Sequence, residues 1–144
     1  TWVVPPRNLV DEVRAAAAQT LEEALASTKV DGDVVVGEGD AASEILRVAR
    51  EIRADLVIVA HAWRGDHFVN FDGPGLELAQ EFSRRSGYRV KDSRHIPPTP
   101  GSLGSWVGNT LGIPILTLEY ERGSDPHADW LDTRAAIVAV ILGS

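Results

Sequence analysis

Apolar residues at Leu9, Val13, Ala17, Leu21 and Leu25 recur every four positions, with Asp11, Glu12, Arg14, Glu22 and Glu23 elsewhere around the same stretch. That spacing predicts an amphipathic helix, opened by Pro5-Pro6 after a short apolar lead of Trp2, Val3 and Val4. Asp33 to Val36 is a β-branched run stopped by Gly37-Glu-Gly39, which predicts a short strand. Asp40 is placed to cap a second helix carrying Ile45, Leu46, Val48, Ala49 and Ile52, with Glu44 in its first turns. After Asp55, residues Leu56 to Ala60 are apolar throughout rather than alternating, the pattern of a strand covered on both faces.

The stretch with Gly65, Asn70, Asp72, Gly73, Pro74 and Gly75 reads as a loop. Leu76 to Ser86 follows as a helix, with Gly87 where a left-handed residue is usually needed. Tyr88 to Val90 is a short strand candidate, and Pro97, Pro98 and Pro100 stiffen the next loop. Ser102 to Leu111 predicts a short helix ending at Gly112, and Ile113 to Leu118 a second buried strand. Asp125 to Asp129 reads as a turn before an apolar helix over Trp130 to Leu142. Strands alternating with helices in this way predict an α/β fold, a three-layer α/β/α sandwich around a mostly parallel sheet.

Length and composition narrow the function classes. At 144 residues the chain is expected to form a single domain. A net charge of -7 and a pI near 5.0 argue against nucleic acid as a partner. The absence of cysteine removes disulfides, thiolate metal sites and thiol nucleophiles together. No stretch reaches the roughly 18 apolar residues of a membrane span, and no basic region followed by an apolar run marks the N-terminus for export. A soluble, cytoplasmic chain with no membrane partner is the expectation. With no methionine anywhere, it reads as a processed product, a trimmed one, or a chain whose first residues are not included.

Two residues stand where chemistry would be placed. His61 ends the first apolar strand and Glu119 the second, and open α/β sheets bind ligands at the C-terminal ends of their strands. Other groupings are weaker. Gly37-x-Gly39 before a helix suggests phosphate binding, but Ala42 replaces the third glycine, Glu38 and Asp40 repel an anion, and a turn with an N-cap explains the same residues. His61, Asp66, His67 and Asp72 share one stretch, without a spacing that fixes a metal geometry. Ser102 and Ser105 stand in no Gly-x-Ser-x-Gly elbow and suit a helix start. His95 and His127 fall in polar, proline-flanked loops, and Trp63, Trp106 and Trp130 read as core or edge packing.

The segment Asp55 to about Gly123 resembles the C-terminal half of the zinc carboxypeptidases, in particular the murein peptide amidase-like branch. The likeness rests on the strand ending in His61, on Val69-Asn-Phe-Asp-Gly-Pro-Gly75, and on Pro100-Gly-Ser-Leu-Gly-Ser-Trp106 through Leu111-Gly-Ile-Pro-Ile-Leu-Thr-Leu-Glu119. The resemblance implies that His61 stands where that family has its third zinc ligand, and Glu119 where it has the carboxylate that activates the metal-bound water. The family's other two ligands come from a His-x-x-Glu pair, and here the residues three after each histidine are Arg64, Asn70, Pro98 and Trp130. A catalytic zinc needs three protein ligands, so His61 reads as a vestigial ligand and Glu119 as a vestigial general base.

Residues 1–60 resemble the universal stress proteins, through Val34-Val-Val-Gly-Glu-Gly-Asp-Ala-Ala-Ser-Glu-Ile-Leu46, Val48-Ala-Arg50 and Ala54-Asp-Leu-Val-Ile-Val59. The glycine-rich phosphate loop of that family's ATP-binding members is replaced here by His61-Ala-Trp-Arg-Gly-Asp-His67, so nucleotide binding is not inherited. Together the two resemblances imply a hybrid domain, recombined or designed, with a seam near residues 55–61, no expected cofactor and no turnover. Two alternatives stay open. One is a zinc-dependent carboxypeptidase or amidase acting on cell-wall peptides. The other is a small-ligand or self-association module of the stress-protein kind, in which a homo-oligomer forms through the C-terminal helix or a sheet edge.

Overall fold

A computed structural model describes residues 7–28, 31–92 and 102–143. The predicted features at Trp2 to Pro6, His95, Pro97, Pro98 and Pro100 lie outside them. The chain divides into two compact units, Thr1–Ile45 and Leu46–Ser144.

In the first unit, helix α1 (Arg7–Thr28) forms where the periodicity predicts one, with Leu9, Val13 and Leu21 of its apolar stripe exposed. Within it Gln19 donates to Glu23 at 2.9 Å, and Arg14 pairs with Glu38 of the following segment. The strand expected at Asp33 to Val36 does not form: residues 31–38 are irregular, and Val35 is 55% exposed. A β-branched run makes a strand only when a neighbour satisfies its backbone groups, and no described strand pairs with this one. Asp40 caps helix α2 (Ala41–Glu51) as its sequence indicates, accepting from the backbone N and the hydroxyl of Ser43, both at 2.8 Å. Those two donors hold its carboxylate below the ordinary value.

The second unit carries a four-stranded sheet built from β1 (Val57–Trp63), β2 (Phe68–Asp72), β3 (Arg89–Asp92) and β4 (Ile115–Glu121). Its order is β1-β4-β2-β3. β1 lies parallel to β4 and β3 parallel to β2, while β2 and β4 are antiparallel. The α/β sandwich class read from the strand–helix alternation is thus the class observed, around a mostly parallel open sheet.

Two details of the sheet depart from the sequence reading. β1 is an edge strand, half-buried to Val59 and exposed from Ala60 onward, rather than covered on both faces. Its uninterrupted apolar run reflects one packed face and one half-covered face. β2 occupies what reads as a loop. Phe68, Val69 and Phe71 are buried, and the strand holds both a parallel and an antiparallel neighbour.

Alternation along the strands divides the sheet into two faces. Ile58, Val69, Phe71, Val90, Leu116, Leu118 and Tyr120 join Ala79 and Phe82 of α3 (Leu76–Ser86) and Ala136 and Val140 of α4 (Pro126–Leu142) in one core. α3 closes as expected, with Gly87 at φ 77° donating its N–H to Ser83 O at 2.9 Å. α4 begins a turn before the expected Trp130, because Asp125 caps it by accepting from His127 N at 3.0 Å and Pro126 opens the first turn. His127 is therefore in a helical first turn rather than a loop.

The expected helix after Ser102 includes a π-helical stretch, Ser105–Thr110. Ser102 Oγ accepts from Ser105 N at 3.2 Å, the helix-start role its position suggests. The wide turn brings the backbone of Gly108 against the end of β2: a Cβ there would stand 2.5 Å from the Asp72 carbonyl carbon and 2.6 Å from Gly73 N. Gly73, at φ 60°, faces Gly108 across the same contact. Backbone on both sides leaves nothing flexible to yield. Gly108→Ala is therefore expected to destabilise the protein by about 1–3 kcal/mol, read as a lower urea midpoint at unchanged m-value.

Tyr88 is 5% exposed beneath α3, edge-on to Phe82 and Tyr120, with the ring of His67 stacked on it at 4.2 Å. Burial, with Tyr120, Asp129 and Asp132 nearby, pushes its phenol up to about 12. The folded state thus prefers the neutral phenol, and its contribution is complete below pH 10, the ordinary value. Stability is expected to fall as pH rises between 10 and 12, and Tyr88→Phe to flatten that fall in alkaline denaturation.

Candidate functional site

The parallel register sets His61 directly beside Glu119, and the antiparallel register on the other side of β4 sets Phe68 opposite Glu119. Arg89 continues the row on β3. All lie on the sheet face turned away from the α3–α4 core, since Leu118 and Tyr120 on either side of Glu119 belong to that core. The two residues placed at strand ends from sequence are therefore neighbours in space, although each strand runs two residues further, to Trp63 and Glu121.

Their environments differ sharply. The His61 side chain is 59% exposed, whereas Glu119 is 8% exposed as a whole residue. His61 Nδ1 stands 3.6 Å from Glu119 Oε1, close enough for charge attraction but too long for a hydrogen bond. Glu119 Oε2 is fully buried and has no hydrogen-bond partner among the described residues. Leaving such an acceptor unsatisfied costs about 1–3 kcal/mol, more when it is charged. The sequence places this carboxylate inside because β4 is a central strand, and the alternation that buries Ile115 also turns Glu119 inward.

One residue from each of β1, β2 and β3 completes the surroundings. The Trp63 ring meets Phe68 edge-on, with centroids 5.9 Å apart, and Lys91 Nζ lies 3.6 Å from the centre of the Phe68 ring. Sequence reasoning missed Phe68 because the glycines and proline that follow mask β2, and Lys91 because the short strand was expected to end at Val90. The alternation of Val69 and Phe71 with Phe68, Asn70 and Asp72 was the available signal.

The other candidates separate. Asp66 pairs with Arg89, His67 stacks on Tyr88, and Asp72 accepts from Asn109 Nδ2 at 3.4 Å. The four-residue cluster imagined around His61 is thus distributed among different partners. Among the described residues no group of three or more His, Asp or Glu side chains is placed to hold a metal ion. His61 and Glu119 alone make two donors, one short of the catalytic zinc minimum, so the residues present do not fit that metal. Gly37 and Gly39 precede the capped start of α2, with Gly39 at φ 115°. Trp63 and Trp106 are half-exposed rather than core residues. No helix among the described residues is long and apolar enough to cross a membrane.

Comparison with known proteins bears on the first part of the chain. The model of the universal stress protein family matches residues 3–67. No curated protein matches the chain. The matched stretch takes in α1, α2 and β1 and ends just before β2, so that His61 lies inside it and Glu119 beyond it. The N-terminal segment is universal-stress-protein-like. The match does not reach most of the stretch likened to carboxypeptidases.

A two-donor site has a simple consequence. Calorimetric titration with zinc is expected to give no sub-micromolar binding. A single sub-micromolar site lost in His61→Ala would reinstate the peptidase reading.

Proposed function

We propose that the chain is a hybrid α/β module that binds a small ligand, in the manner of a stress-protein-like domain, without turning it over. The ligand is received at the C-terminal ends of β1 and β4, beside His61 and Glu119. The observation that carries this reading is the buried Glu119 Oε2 with no donor among the described residues. A protein seldom retains an unsatisfied buried acceptor unless something supplies the missing hydrogen bond. The position agrees with the general placement of ligands in open α/β sheets, and the stress-protein-like segment contributes β1, one wall of the site.

Binding without turnover follows from the donor set. A general base acts on a nucleophile that something else orients and polarises, and His61 with Glu119 leaves that second part unsupplied. The stress-protein family match runs through residues 55–61 and ends at residue 67, so the hybrid character rests on the two sequence resemblances alone.

Amide chemical-shift mapping tests the module directly. Against a panel of nucleotides, amines, carboxylates and sugars, at least one class is expected to move the amides of His61, Phe68 and Glu119 saturably. A panel that moves none of them rejects the reading.

A further inference from the structure

We infer that the ligand received beside Glu119 is a small organic cation, an ammonium group on a short apolar stem. This rests on the small-ligand reading above and adds to it the chemistry of the ligand. Three observations converge on it.

The first is the acceptor itself. A carboxylate only accepts hydrogen bonds when ionised, and Glu119 offers one oxygen with no donor and a second whose nearest charged neighbour, His61, stands beyond hydrogen-bond length. An ammonium brings three donors and a full positive charge, so it satisfies the orphaned oxygen and neutralises the buried charge in one contact. Neutral donors do only the first.

The second is the charge balance of the sheet face. Glu121 lies two residues along β4 from Glu119 and projects from the same face, exposed. Two basic residues share the face: Arg89 pairs with Asp66, and Lys91 lies over the ring of Phe68, which stands opposite Glu119. Asp66 answers Arg89, which leaves Glu119 and Glu121 facing Lys91 among the described charged residues of this face. An anionic ligand would meet that field as repulsion.

The third is the wall. Trp63 projects from the same face two residues beyond His61 and remains 48% exposed, with its contact to Phe68 made edge-on. An indole presented in this way attracts a cation through its ring face and covers an apolar stem. His61, exposed on an edge strand, can change rotamer to admit the group without disturbing the core.

Calorimetry with n-butylammonium chloride, 1-butanol and sodium butyrate on the full chain tests this. Butylammonium is expected to bind one site saturably in the millimolar range, with the alcohol and the carboxylate at least tenfold weaker. Glu119→Gln keeps the shape, removes the charge and is expected to weaken butylammonium at least tenfold. Trp63→Ala, a substitution on an exposed edge, is expected to weaken it several-fold and keeps the test available if Glu119→Gln fails to fold. Equal affinity for the alcohol, or undiminished butylammonium binding in a folded Glu119→Gln or Trp63→Ala protein, overturns the inference. If nucleotides or carboxylates move the His61 and Glu119 amides while butylammonium does not, the cation assignment falls and the binding module stands. If nothing moves them, both fall.

Discussion

The position of β4 between β1 and β2 is the constraint on which the second unit depends. Its backbone is hydrogen-bonded on both edges, parallel to β1 and antiparallel to β2, and Ile115, Leu116 and Leu118 are almost wholly buried. A strand held in this way has no freedom to slip. Moving it by one residue would carry Leu116 and Leu118 out of the α3–α4 core and bring Thr117 and Glu119 into it. The register that keeps the core apolar is therefore the same register that sets Glu119 beside His61 and opposite Phe68.

This coupling explains how a poorly solvated carboxylate persists. Glu119 lies on the strand whose burial organises the sheet, and the apolar alternation around it fixes its direction whatever its own cost. The penalty of an unpartnered oxygen is small against the burial of its neighbours, each worth about 1.5–3 kcal/mol. By contrast β1, its neighbour, is an edge strand, so His61 is left in solvent. The pair therefore joins one buried partner to one exposed partner.

Local chemistry in the chain is legible wherever the signal is local. Gly87 and Asp40 end and begin helices where their residue types require, and the apolar runs at Val57 and Ile115 become the parallel pair β1–β4. The reading failed where the outcome depended on a distant neighbour. The valines at 34–36 have strong strand character but find no described partner, and remain irregular. The segment 68–72 has weak strand character, flanked as it is by turn residues, yet becomes an inner strand because β3 and β4 both pair with it. Strand formation is settled by pairing, and pairing is not a local property.

The sequence by itself determined the α/β class, the helix caps and the two apolar runs that lead into His61 and Glu119. These follow from residue type and spacing, which act over a few positions. Only the tertiary structure decided the order β1-β4-β2-β3, the edge position of β1, the row His61–Glu119–Phe68–Arg89, and the burial of one carboxylate oxygen without a partner. Those depend on which strands meet and in what register. That choice is made by the combined burial of residues far apart in the chain.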